Sequence, residues 1–190
     1  ADVIGTDLSP EMLAMAQKNC ARKGFSPLLL LQDMRELDLY GTVDVAVCAT
    51  NSLNYLQNGE ELRTVFSKVQ NFLTPGGLFF FDINSLYKFE KLYGDNTYVF
   101  EGNGGYCVWQ NRYKKSKKQC DFLLTIFKAE KDGLYSRHEE EQRQCYFSPA
   151  SLEKTLKETG FELIFKGRDY RGSPSQEKDG DVFYLAVCRK

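Results

Sequence analysis

Short apolar runs, each ending on a polar residue, set the pattern of the first half of the chain. Val3-Ile4-Gly5-Thr6 ends at Asp7, Leu28 to Leu31 ends near Asp33, and Asp44-Val45-Ala46-Val47-Cys48-Ala49 ends at Asn51. Runs with no polar face predict strands buried on both sides in a parallel sheet. After the first run, Ser9-Pro10-Glu11 supplies a capping hydroxyl, a proline suited to the first helical position and an early acid. Met12, Met15, Ala16, Asn19 and Cys20 then recur at helical spacing as far as Gly24. Glu60 to Leu73 predicts a second helix, with Leu62, Val65, Phe66, Val69 and Leu73 as its apolar stripe. Thr74-Pro75-Gly76-Gly77 breaks it, and Leu78-Phe79-Phe80-Phe81 predicts a fourth strand ending at Asp82. The chain opens inside an apolar strand, at Ala1-Asp2-Val3-Ile4, so the expectation is a fragment whose N-terminal part is missing.

From Tyr98 to Phe147 the pattern turns antiparallel. Tyr98-Val99-Phe100 and Tyr106-Cys107-Val108-Trp109 flank Gly102-Asn103-Gly104-Gly105, while Cys120 to Lys128 and Leu134 to Phe147 flank Asp132-Gly133. Asp-Gly between two such runs signals a type I′ hairpin. That turn sets a register with Cys120 near Cys145, Phe127 near His138, and Glu139, Glu141 and Arg143 opposite Ile126, Leu124 and Phe122. Ser148-Pro149 then starts a helix carrying Leu152 and Leu156 and ending at Gly160. Phe161 to Lys166 and Val182 to Cys188 are two last strands, joined by a polar loop around Gly172-Ser173-Pro174-Ser175-Gln176. This link is too short for a crossover helix, so the two should pair antiparallel. The expected organisation is an α/β core from 1–95 and 148–190, with an inserted antiparallel β lobe at 96–147.

Composition narrows the function classes. The chain has 190 residues, 42% apolar and 27% charged, with a net charge of −1. That is ordinary globular usage, with no overall pull toward nucleic acid or an anionic membrane. No apolar run approaches the ~20 residues of a membrane span. The run Arg112, Lys114, Lys115, Lys117, Lys118 reads as a solvated hairpin turn, since no wider basic face supports it. The six cysteines form no Cys-x-x-Cys pair and none lies near the single His138, so no metal site is expected and a reduced, cytoplasmic setting is. No P-loop pattern is present.

In an open α/β sheet, ligands bind beyond the carboxyl ends of the strands. Asp7, Asp33, Asn51 and Asp82 with Asn84 stand at those ends in succession. Asp7 could accept from ribose hydroxyls and Asp33 from an exocyclic adenine amine beside the Met34 N–H, or each could simply cap a turn. These residues carry a resemblance. Val3-Ile4-Gly5-Thr6-Asp7-Leu8-Ser9-Pro10-Glu11-Met12-Leu13 resembles the second-strand motif of class I S-adenosylmethionine-dependent methyltransferases. Leu31-Gln32-Asp33-Met34 resembles the third-strand motif, Asn51-Ser52-Leu53-Asn54-Tyr55-Leu56 the segment after strand four, and Leu73 to Asp82 the approach to strand five.

The resemblance implies a doubly wound Rossmann-like sheet, mostly parallel with an antiparallel last strand and its first strand missing. The family's first strand and Gly-rich turn precede the point where this chain opens, so a parent about 50–60 residues longer is expected. It also implies S-adenosylmethionine as cofactor, S-adenosylhomocysteine as product, and a small-molecule acceptor, with a lean toward an amine nitrogen. Asp7, Leu8, Asp33, Met34 and Asn51 would contact the cofactor. Asn54, Tyr55, Asn84, Tyr87 and Trp109 would border the acceptor beneath the β lobe, and no general base is assigned. Two other readings stay open: a nicotinamide-dependent oxidoreductase, which also uses an acid such as Asp7, and a non-catalytic binding module.

Overall fold

The computed structural model describes residues 2–102, 104–169, 171, 173–174, 176 and 178–190. Asn103 of the first hairpin turn, and Gly172 and Ser175 of the late polar loop, lie outside the described residues. Strand β1 (Ile4–Asp7) pairs in parallel with β2 (Leu28–Leu31), with Asp7 opposite Leu31. Helix α1 (Pro10–Arg22) connects them, and the Ser9 hydroxyl accepts from the Met12 N–H as its cap. These two strands form a sheet of their own. Ile4, Met12 and Met15 remain exposed, and α1 buries no residue.

A second sheet holds β3 (Val43–Cys48), β4 (Leu73–Asn84), β9 (Phe161–Gly167) and β10 (Asp181–Cys188), in the order β3-β4-β10-β9. The β3–β4 pair is parallel and β10 runs antiparallel to both neighbours, as the polar link required. The preceding helix ends at Phe72, just before Thr74-Pro75-Gly76-Gly77, and those four residues lie inside β4 as an irregularity rather than ahead of it. Val43 pairs with Leu73, yet Val45 pairs with Leu78. Helix α2 (Gly59–Phe72) buries Leu62, Val65, Phe66 and Val69 against this sheet, and α3 (Pro149–Glu158) adds Leu152 and Leu156. Phe66, Phe79, Phe81 and Tyr184 form the centre of the core, with Phe81 stacked on Tyr184 at 4.9 Å. The other face of the sheet leaves Val45, Val47 and Ile164 exposed.

The third sheet is antiparallel and follows chain order: β5 (Thr97–Gly102), β6 (Gly105–Lys114), β7 (Gln119–Ala129) and β8 (Tyr135–Cys145). Gly105 is required where β6 meets β7. Its φ is +129°, and an added Cβ would lie 1.8 Å from the Phe127 carbonyl oxygen. A π-helical turn at Lys88–Tyr93, which periodicity did not reveal, packs Phe89 and Tyr93 against Cys120 and Phe122 of this sheet.

The β7–β8 register differs from expectation by one residue. Ile126 faces His138, Leu124 faces Glu140, Phe122 faces Gln142, Cys120 faces Gln144 and Phe127 faces Arg137. The connection is the reason. Glu130 N–H donates to the Leu134 carbonyl at 2.9 Å, leaving a three-residue loop, Lys131–Gly133, where a type I′ turn has two. An odd loop shifts the pairing sum by one and turns every β8 side chain to the opposite face. His138, Glu140 and Gln142 therefore stand where Glu139, Glu141 and Arg143 were expected.

Candidate active site

Within each of the two sheets that hold a parallel pair, β1–β2 and β3–β4, the carboxyl ends of those strands form a rim. Asp7 closes β1, and its Oδ1 accepts from the Ser9 N–H at 2.8 Å, which fixes the carboxylate at the start of α1. Asp33 stands two residues past the Leu31 partner of Asp7. With adjacent strands ~4.8 Å apart and ~3.3 Å of rise per residue, the two Cα atoms lie on the order of 8 Å apart. Leu8 beside Asp7 is 69% exposed and offers apolar surface at this edge.

Asp33 does more than cap. It accepts from the Arg35 N–H, and Arg35 Nη2 reaches its Oδ2 at 2.5 Å. The hydrogen bonds and charge of Arg35 hold the Asp33 carboxyl below the usual carboxylate range. Arg35 Nη1 also meets Glu61 at 3.1 Å, tying the end of β2 to the first turn of α2. Met34 packs on the main core with its side chain partly buried.

At the end of β3 the backbone takes two consecutive left-handed residues, Thr50 (φ 60°) and Asn51 (φ 58°). Asparagine tolerates this region; a β-branched threonine there is an outlier, and left-handed geometry costs roughly 1–2 kcal/mol per non-glycine residue. Asp82, buried at the end of β4, offsets that cost. Its Oδ1 accepts from the Asn51 N–H at 2.7 Å and its Oδ2 from the Thr50 N–H at 3.2 Å. Burial first, and the Asp82 charge second, push the nearby Cys48 thiol up to about 12, so it stays protonated at neutral pH. The Asn51 carboxamide donates to Asp181 Oδ1 at 2.9 Å, which also receives Lys88 Nζ at 2.8 Å from the π-helical turn.

The candidate acceptor residues divide into two groups. Asn54 and Asn84 are fully buried and engaged within the protein. Asn54 accepts from the Asn84 N–H and donates to the Cys145 carbonyl, both at 2.8 Å, and Asn84 Nδ2 donates to Gln144 Oε1 at 2.6 Å. Together they join the core to the last strand of the lobe. Tyr55 is 41% exposed, and its hydroxyl donates to Gln142 Oε1 at 2.7 Å. Tyr87 is half-buried and leads into the π-helical turn. Trp109 lies among the rings of Tyr93, Tyr98, Phe100 and Phe122. Asp181, Lys88, Gln142 and Gln144 were not singled out from sequence. The register slip hid the two glutamines, and nothing local marks Asp181 or Lys88 as neighbours of Asn51.

Two side chains of the basic run have partners within the protein. Lys114 pairs with Asp121 and Lys118 lies over the Tyr146 ring. A groove of about 930 Å³ is lined in part by Gln110, Arg112, Asp121, Leu123, Gln142 and Arg143. Its Asp121 is already paired with Arg143 and Lys114. No group of three or more His, Cys, Asp or Glu that could hold a metal occurs among the described residues. No helix among them is long and apolar enough to cross a membrane.

Comparison with known proteins gives this rim its context. Residues 1–77 match the family model of the methyltransferase domain. An inferred methyltransferase of Geobacillus sp. (strain WCH70) is 30% identical over 184 residues, covering 97% of this chain and 74% of that protein. The crystal structure of an S-adenosylmethionine-dependent methyltransferase from Clostridium acetobutylicum ATCC 824 superposes with a TM-score of 0.92 at 26% identity, covering 100% of this chain and 76% of the other. An amino pentose methyltransferase from Micromonospora echinaspora, solved with S-adenosylmethionine bound, shares the fold at 17% identity. Its TM-score is 0.68, over 98% of this chain and 74% of the other. With its sheet order, its rim of strand-end acids and these relatives taken together, the chain belongs to the class I S-adenosylmethionine-dependent methyltransferase family.

Proposed function

We propose that this protein transfers the methyl group of S-adenosylmethionine to a small-molecule acceptor, through an amine nitrogen. The observation that carries the reading is the juxtaposition of Asp7 and Asp33 at the ends of adjacent parallel strands. Their chemistry fits a nucleoside. Asp7 has carboxylate lone pairs left for ribose hydroxyls beyond the one used by Ser9. Asp33, held ionised by Arg35, can accept from an adenine amine beside the Met34 N–H, with Leu8 as the exposed apolar neighbour. Asn51 follows β3 in the second sheet, and its carboxamide oxygen would meet the methionine portion.

Bound S-adenosylmethionine supplies a methyl group already activated on a sulfonium. The protein's part is then alignment, and effective molarity can contribute about 7–11 kcal/mol to such a step. The β lobe serves as the lid over the acceptor, with Tyr55, Tyr87 and Trp109 on its approach and Asn54 and Asn84 holding lobe to core. A neutral amine reacts without a strong base, which suits a site whose residues offer no obvious one. The fold neighbour that methylates an amino pentose supports this choice of acceptor. The six free cysteines fit a reducing, cytoplasmic setting.

Asp7→Ala is expected to weaken S-adenosylhomocysteine binding by about 1–3 kcal/mol through lost charge-assisted hydrogen bonds. Titration calorimetry on both proteins checks this, and equal affinities would remove Asp7 from the cofactor site. NADH belongs in the same experiment. With the full-length protein, tight NADH binding and no S-adenosylhomocysteine binding would replace this reading with an oxidoreductase, and binding of neither would leave a non-catalytic module.

A further inference from the structure

We infer that Asp82 is the positioning residue of the cofactor rim: by accepting the N–H groups of both Thr50 and Asn51, it holds the left-handed pair that aims Asn51. This rests on the reading above that the rim holds S-adenosylmethionine, and goes beyond it by naming a residue that acts without touching the ligand. Three observations converge. The bonds at 2.7 and 3.2 Å reach two successive backbone donors from one buried carboxylate. Those donors belong to the only described non-glycine residues that adopt positive φ in succession, Thr50 and Asn51. The side chain of Asn51, so placed, reaches Asp181, where Lys88 also arrives.

The energetic logic is conformational. A β-branched residue relaxes out of the left-handed region unless something over-determines it. Asp82 comes from the neighbouring strand, so β3–β4 pairing and the shape of the rim are coupled: Cys48 pairs with Phe81, and the next residue of β4 is the clamp. The sequence marks Asp82 only as a polar residue at a strand end; its two backbone bonds give it this task.

The test uses Asp82→Asn, Thr50→Gly and the double variant, with S-adenosylhomocysteine calorimetry and thermal melts on each. Asparagine keeps the size of the side chain but offers one acceptor oxygen in place of two. If the left-handed pair is then populated about a tenth of the time, the dissociation constant rises about tenfold. Glycine enters this region without penalty, so Thr50→Gly should restore the double variant to within about threefold of the parent and leave the parent within about twofold. A merely structural role for Asp82 would not be rescued by a glycine in the turn after β3. Unchanged affinity in Asp82→Asn, or no rescue by Thr50→Gly, overturns the inference. Should Asp82→Asn fail to fold, recovery of folding in the double variant supports the clamp and its absence overturns it. A parent protein that binds no S-adenosylhomocysteine rejects the cofactor reading instead. The clamp is then decided by the melts, where the same order of variants is expected.

Discussion

Replacing Phe81 by alanine is expected to destabilise the protein by about 3–5 kcal/mol, the range for truncating a fully buried phenylalanine. Phe81 has 0% exposure and lies at 5.4 Å from Phe66, 4.9 Å from Phe79 and 4.9 Å from Tyr184, where the rings are parallel within 4°. It therefore joins α2 to two antiparallel strands at once. No side chain among these neighbours is small or loosely packed, so the cavity should persist rather than collapse. For a chain of this size the shift in melting temperature would be roughly 6–20 °C. Chemical denaturation measures the free energy directly; a loss below about 1 kcal/mol would mean that the aromatic cluster is not the centre of the core.

Asn54→Ala has the second large effect, and it bears on function as well as stability. The substitution strands the Asn84 N–H and the Cys145 carbonyl in a fully buried site. Each orphaned group costs about 1–3 kcal/mol, so the sum is roughly 2–6 kcal/mol. Those two bonds run from the turn after β3 to β4 and to the end of β8, which is where the antiparallel sheet joins the core. Faster amide exchange at Asn84, with β5 and β6 little changed, would locate the damage at that joint. Uniform loss of protection across the protein, or none at Asn84, would contradict it.

The parts of the fold legible in the sequence are those with one dominant local signal. Ser9-Pro10 and Ser148-Pro149 announced two helix starts, and the Leu62 to Val69 stripe announced the helix that covers the core. The antiparallel end pair followed from a link too short for a crossover. What failed was register. Asp132-Gly133 does occupy the turn, with both residues at positive φ, but the turn holds three residues and not two. Dipeptide identity predicts the presence of a turn better than its length, and a single residue exchanges the two faces of β8. The π-helical turn at Lys88–Tyr93 lay beyond reach for another reason: its five-residue hydrogen-bond spacing matches neither period used to read the chain.

The site shows the same division. Strand-end polar residues are visible as positions, so Asp7, Asp33, Asn51 and Asp82 could be named from sequence. Their partners come from distant segments. Asp33 is bound by its near neighbour Arg35, but Asn51 depends on Asp82 and Asp181, 31 and 130 residues away. Long-range hydrogen bonds of this kind leave no periodic trace. Asn54 and Asn84 illustrate the consequence: they were expected to border the acceptor, and their side chains bond β4, β8 and one another.

In the proposed function, Asp7 and Asp33 grip one adenosine between them. A crystal structure of the protein with S-adenosylhomocysteine addresses it most directly. The ribose hydroxyls are expected within hydrogen-bonding distance of the Asp7 carboxylate, and the adenine amine at Asp33. A nucleoside bound elsewhere, or one that touches neither carboxylate, would contradict it.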